Sequence, residues 1–150
     1  MKINKNNGYT LFEVMIAILI VSLGMIALGG LMINSLRYSK ESANRFVATQ
    51  QLYEITDRMR ANNKGVVAGY YDAVEGIPTS ASCDTTNCSI NDLAIYDINQ
   101  WNTKNSRVLP QGKGTITKNG STFLVTVVWS ENERGVSAPA EQGITMRISP

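Results

Sequence analysis

Few residues in this chain can do chemistry. It has no histidine, which excludes Ser-His-Asp and Cys-His catalysis and the usual zinc ligand sets, because no other side chain titrates near neutrality without a large pKa shift. The two cysteines are Cys83 and Cys88. In an oxidising compartment they close a small disulfide loop. Redox and metal roles are the alternatives, set back by a spacing that is not CxxC and by the lack of any further thiol or imidazole. The carboxylates Asp84, Asp92, Asp97, Glu131, Glu133 and Glu141 fall into no catalytic spacing and read as loop and surface charge. Glu13 differs from them, because it stands at the edge of a run, residues 14–33, that carries no charge.

A glutamate in that place has two readings. An acidic residue at mid-membrane costs about 2.5–3.5 kcal/mol on insertion scales, so it calls for a partner or an interfacial position. In the first turn of a helix the macrodipole favours a negative charge by about 0.3–1 kcal/mol, and no partner is needed. The element behind it narrows the choice. Residues 14–33 are interrupted only by Ser22, Gly24, Gly29 and Gly30, and as a helix they measure about 30 Å, the thickness of a bilayer's hydrocarbon core. A secretory signal peptide fits less well, since its apolar region runs about 7–15 residues. A buried soluble helix fits less well again, with only 150 residues to cover it.

The stretch Gly8-Tyr9-Thr10-Leu11-Phe12-Glu13-Val14-Met15-Ile16, preceded by a short segment made basic by Lys2 and Lys5, resembles the class III signal sequence of type IV pilins and type II secretion pseudopilins. The resemblance implies that prepilin peptidase cuts between Gly8 and Tyr9 and that Tyr9 becomes N-methylated. It also implies that Glu13 pairs with the terminal amine of a neighbouring subunit, the functional reading of that carboxylate. The fold it implies is α+β, a long N-terminal helix packed on a small antiparallel β-sheet head, with no cofactor and no metal.

Loss of the leader changes the charge. The formal net charge is +2, and removing Lys2 and Lys5 from the 14 basic residues leaves 12 against 12 acidic ones. A neutral chain has little global field to attract nucleic acid or anionic lipid. The positive-inside rule is undecided, since Arg37, Lys40 and Arg45 follow the apolar run as closely as the leader lysines precede it.

Beyond the apolar run the helix is expected to continue to residue 62, with Ala48, Leu52, Ile55 and Met59 as a stripe that can face a sheet. Glu41 with Arg45, and Glu54 with Arg58, are acid-first pairs four apart and read as a solvated face. Asn62-Asn63-Lys64-Gly65 reads as the stop. Gly29-Gly30 invites local unwinding, and stands where many major pilins carry a proline. Residues 65–87 read as loop. A short helix is expected over 89–105 with Leu93, Tyr96 and Trp101 among its buried positions. Asn119-Gly120 reads as a two-residue hairpin between strands 115–118 and 121–130, which puts Ile116 opposite Phe123. Phe123, Val125, Val127 and Trp129 alternate onto one face, so Trp129 reads as core rather than as a binding aromatic. Ile144, Met146 and Ile148 alternate in a last strand.

The expected domains are a leader at 1–8, a transmembrane and assembly helix at 9–33, its amphipathic half at 34–62, and a globular head at 63–150. Asn44-Arg45, Asp57-Arg58-Met59-Arg60-Ala61-Asn62, Trp101, Leu109-Pro110-Gln111-Gly112 and Val127-Val128-Trp129 resemble minor pilins. That resemblance implies a non-enzymatic subunit of few copies that primes pilus assembly. Its partners would be prepilin peptidase, other minor pilins, the major pilin and the inner-membrane assembly platform. It would cross the inner membrane once, with its head in the periplasm, and enter the pilus on assembly. A type II secretion pseudopilin is the alternative within the family, and a membrane-anchored periplasmic enzyme or adhesin the alternative outside it.

Overall fold

A computed structural model describes residues 9–79, 83, 87–131 and 139–150. The leader, Gly8, Asp84 and Glu133 lie outside the described residues. The elements are α1 (Leu11–Ala61), α2 (Asn63–Val67), β1 (Ala73–Glu75), α3 (Ile90–Val108), β2 (Lys113–Asn119), β3 (Thr122–Glu131) and β4 (Ala140–Ile148). Two compact units divide between Lys40 and Glu41.

In the first unit, α1 carries its apolar side chains outward on every side, with Leu11 to Leu36 exposed wherever a large one occurs. The helix is long and apolar enough to cross a membrane, at a mean hydropathy of 2.6 over its most apolar stretch. It runs through Gly24, Gly29 and Gly30 without interruption.

In the second unit the four strands form one antiparallel sheet in the order β1-β2-β3-β4. Its inner face supplies Ile116, Phe123, Val125, Val127, Trp129 and Ile148, which bury the expected stripe Ala48, Leu52, Ile55 and Met59 of α1. The long apolar helix packed on a small antiparallel sheet is thus the α+β arrangement that the sequence leads one to expect. α3 closes the core, but on a different face from the one expected. Its buried positions are Ala94, Asp97, Ile98, Trp101, Asn102 and Asn105, while Leu93 and Tyr96 are only half-buried. Polar residues hold core positions there, so hydrophobicity alone misplaces the face. Ser89 starts the helix by accepting a hydrogen bond from the Asp92 amide at 3.1 Å.

The largest core side chain, Trp101, is seated on backbone. Its indole N–H donates to the Gln51 carbonyl at 2.9 Å, and its ring edge lies where a Cβ on Gly114 would be. Asn102, one residue on, accepts from the Gly114 amide at 2.7 Å and donates to the carbonyls of Gly114 at 3.1 Å and Gly76 at 2.7 Å. Strand β1 ends at Glu75, which pairs with Thr115, so the Asn102 amide bonds β2 as a further strand residue would.

Three local readings are corrected. The helix end at Ala61 is followed by a second short helix, because Asn62 turns back and its side chain accepts from the Gly65 amide. β1 falls in the stretch read as loop; three residues are too few to show a period. The hairpin turn is Gly120-Ser121, with Asn119 paired to Thr122 and Ile116 to Val125. Gly120 has φ +63° and Ser121 does not enter the left-handed region, the pattern of a type II′ turn with glycine first rather than a type I′ turn with glycine second. The shift is two residues, so every side chain keeps its face.

The segment Leu109-Pro110-Gln111-Gly112 is a β-turn closed by the Gly112 amide on the Leu109 carbonyl at 3.0 Å. Gln111 takes φ +52° at its third position, as a type II turn requires. The Ser130 amide on the Pro110 carbonyl and the Ser130 hydroxyl on Gln111 hold it to β3. Gly112 is required because a Cβ there would meet the Asn105 carbonyl.

Gly114→Ala forces a methyl into the Trp101 ring, and the expected cost is about 2 kcal/mol or more, in the range of overpacked cores. Urea unfolding measures it; an unchanged midpoint would show that the indole has room to move.

Candidate functional site

The start of α1 is the candidate site. Thr10 precedes the helix and caps it, its hydroxyl accepting from the Glu13 amide at 3.3 Å and its carbonyl from the amides of Glu13 and Val14. Thr10 and Glu13 therefore occupy the first and fourth positions of a capping box. The spacing Thr-x-x-Glu is legible in the sequence and is the signal that its reading passed over. Only half the box is made. The Glu13 amide is bonded, but its carboxylate has no hydrogen-bond or ion-pair partner among the described residues and is exposed. Tyr9, immediately before the cap, is 83% exposed. The arrangement presents an unpaired negative charge at the head of an apolar helix.

Among the described residues, the carboxylates Asp92, Asp97, Glu131 and Glu141 do not assemble into one site. Asp92 serves the α3 cap, its carboxylate accepting from the Ser89 hydroxyl at 2.8 Å. Glu141 is exposed on β4. Two of them are not the surface charges expected. Glu131 accepts from the Trp129 indole at 2.6 Å and from Asn44 at 3.3 Å. Asp97 is only 6% exposed and accepts from Arg58 at 3.1 Å and the Tyr71 hydroxyl at 2.9 Å. Cys83 and Cys88 are joined as a disulfide, with Cα atoms 5.6 Å apart.

Asp97 belongs to a polar network that fastens α3 to α1. Arg58 bridges Asp97 and Glu54, and Glu54 also takes Lys104 at 2.5 Å. The Glu54–Arg58 pair is therefore part-buried and structural rather than a solvated face. Burial pushes the Glu54 carboxyl up, but hydrogen bonds and charge from Lys104 and Arg58 outweigh it and hold the group below its ordinary value. Burial tends to lower Arg58, yet Asp97 and Glu54 together raise it. Burial and the Asp97 charge push the Tyr71 phenol up against a hydrogen bond from Asn62. Every group is matched to a partner, an arrangement suited to fixing two helices.

Two outcomes follow for this network. Arg58→Met leaves Asp97 without its cation, and because the guanidinium is partly exposed the loss is about 2 kcal/mol rather than the 3–5 of a fully buried pair. Because the Glu54 pKa is lower folded than unfolded, its contribution is complete above the ordinary carboxylate range and fades as pH falls through the folded value. Lys104→Met should flatten that acid limb in denaturation curves recorded across pH. A limb that keeps its slope would assign it to other carboxylates.

No curated protein and no solved structure matches the chain. Residues 3–29, which include Gly8, Tyr9, Glu13 and most of the apolar run, match the family described as the prokaryotic N-terminal methylation motif, and this supports a type IV pilin or pseudopilin-like protein.

Proposed function

We propose that this chain is a minor pilin of a type IV pilus, resembling the minor pilin PilV, and that it takes part in priming pilus assembly with other minor pilins. The observation that carries the reading is the unpartnered Glu13 carboxylate in the first turn of a helix that then stays apolar and exposed up to Leu36. Such a helix has to be covered by lipid or by other helices, and its one negative charge has to be neutralised.

The proposed course runs in three steps. Prepilin peptidase cuts between Gly8 and Tyr9, freeing an amine on Tyr9 that is then methylated. Residues 9–33 anchor the chain in the inner membrane, with the amphipathic half at 34–62 and the head at 63–150 in the periplasm, where the Cys83–Cys88 disulfide is stable. On assembly Glu13 takes up the terminal amine of a neighbouring minor or major pilin at the membrane platform, and the subunit stays at the pilus base or tip. The role is structural rather than enzymatic. A secretion pseudopilin would use the same residues, and co-purification with pilus subunits rather than secretion components distinguishes the two.

Gly8→Val should block cleavage by filling the space that glycine leaves beside the scissile bond. Mass spectrometry of the N-terminus should find the full leader, and mature-sized protein would refute the processing site. Glu13→Ala should be cleaved and methylated normally but enter the pilus fraction at a level reduced at least ten-fold, since an amine left unpaired in apolar surroundings costs about 3 kcal/mol or more. Immunoblots of sheared pili measure it. Incorporation at the parental level would reduce Glu13 to a helix-start charge.

A further inference from the structure

Three side chains of the first unit serve neither packing nor processing. Arg37, Tyr38 and Lys40 follow the apolar run directly. Tyr38 is 72% exposed. Among the described residues neither Arg37 nor Lys40 has an ion-pair partner, and the nearest acid in sequence, Glu41, is held by Arg45 at 3.2 Å. In the second unit Arg45, Arg58, Arg60, Lys104 and Lys118 each meet a carboxylate within 3.5 Å, while Lys64, Arg107, Lys113 and Arg147, which stand far from the apolar run in sequence, have no ion-pair partner among the described residues. Two free cations beyond the span also oppose the bias that keeps positive charge on the cytoplasmic flank. Their presence therefore calls for a compensating interaction.

Axial position identifies it. Phe12 and Tyr38 lie on one unbroken helix, 26 residues apart, which is about 39 Å of rise, against about 40–45 Å for a bilayer including its headgroup regions. Two exposed aromatics thus stand one membrane thickness apart, at the levels where amphipathic rings collect. Arg37 and Lys40 are three apart on α1 and so share a helix face, while Tyr38 stands about 100° round the helix from Arg37, at the same depth but on another side. A guanidinium fork and an ammonium at headgroup height are complementary to phosphate.

We propose that Arg37 and Lys40 form an interfacial clamp that binds the headgroup phosphate of an anionic phospholipid, of the phosphatidylglycerol class, in the leaflet on the head side, with Tyr38 on another face of the helix setting its depth. The clamp rests on the membrane-anchored reading above. It fixes the depth of the stem and retains the subunit until assembly withdraws it.

The test uses the full chain reconstituted in phosphatidylcholine vesicles with and without phosphatidylglycerol. Ser39→Cys carries a fluorophore; the native cysteines are already bonded to each other. Insertion is scored separately, by resistance to alkaline extraction. Headgroup-level nitroxide lipids should quench the label more than mid-chain ones. Nitroxide phosphatidylglycerol should be enriched at the label over nitroxide phosphatidylcholine by up to about five-fold per cation. In the Arg37→Gln, Lys40→Gln double variant the two lipids should quench equally, and Tyr38→Ala should shift the label's depth. An inserted chain whose label meets both lipids equally, or only a water-soluble quencher, overturns the clamp and leaves the membrane reading intact. A chain that alkali extracts overturns both.

Discussion

The head is organised around one narrow constraint, the four-residue buried stripe Ala48, Leu52, Ile55 and Met59 of α1. Each of these residues is almost wholly removed from water, so the covering elements have to match a row that begins with alanine and ends with methionine. Trp101 completes the same core, and its seat needs a backbone acceptor on α1 and a strand residue without a side chain beneath it. Gln51 and Gly114 meet those two needs. Close packing makes such demands specific, because a gap or an extra methyl is felt at once.

The polar residues of the core follow from the same arrangement. Once α3 is fixed by Trp101, its flanking positions face backbone and charge rather than hydrocarbon. Asn102 bonds Gly114, the β2 residue just beyond the pairing with β1, and Asp97 meets Arg58 and Tyr71. Asn62 stops α1, caps α2 and donates to the Ile90 carbonyl at 3.0 Å, tying the end of one helix to the start of the next. Buried polar groups of this kind cost more unpaired than they contribute paired. They therefore specify one arrangement of α1, α2, α3 and β2.

Much of this was legible in the sequence because it rests on period and run length. The apolar run, the stripe, the alternation of Phe123, Val125, Val127 and Trp129, and the cysteine pair each follow from a local rule. What escaped was set by tertiary partners. Asp97 looks like any surface acid until Arg58 and Tyr71 are brought to it from 39 and 26 residues away. β1 is three residues long, and its existence depends on pairing with β2. The hairpin is a narrower failure, since Asn-Gly suits a type I′ turn and Gly-Ser a type II′ turn, and only pairing with β3 decides between overlapping signals. At the candidate site both Glu13 and the Thr10 cap are encoded locally, the cap by the Thr-x-x-Glu spacing.

The distribution of charge connects fold and function more directly than its total. In the second unit, Arg45, Arg58, Arg60, Lys104 and Lys118 are matched to acids within a few ångströms, and such pairs have almost no field beyond a Debye length. These pairs orient the elements that carry them rather than attract distant partners. In the first unit the charges are few and unmatched, with Glu13 at one end of the apolar run and Arg37 and Lys40 at the other. An unmatched charge beside hydrocarbon is stable only where something outside the chain completes it. That requirement falls at both ends of the one segment whose apolar surface also needs a cover from outside. The need for lipid or neighbouring helices is therefore written twice in the same forty residues, once in hydrophobic area and once in charge.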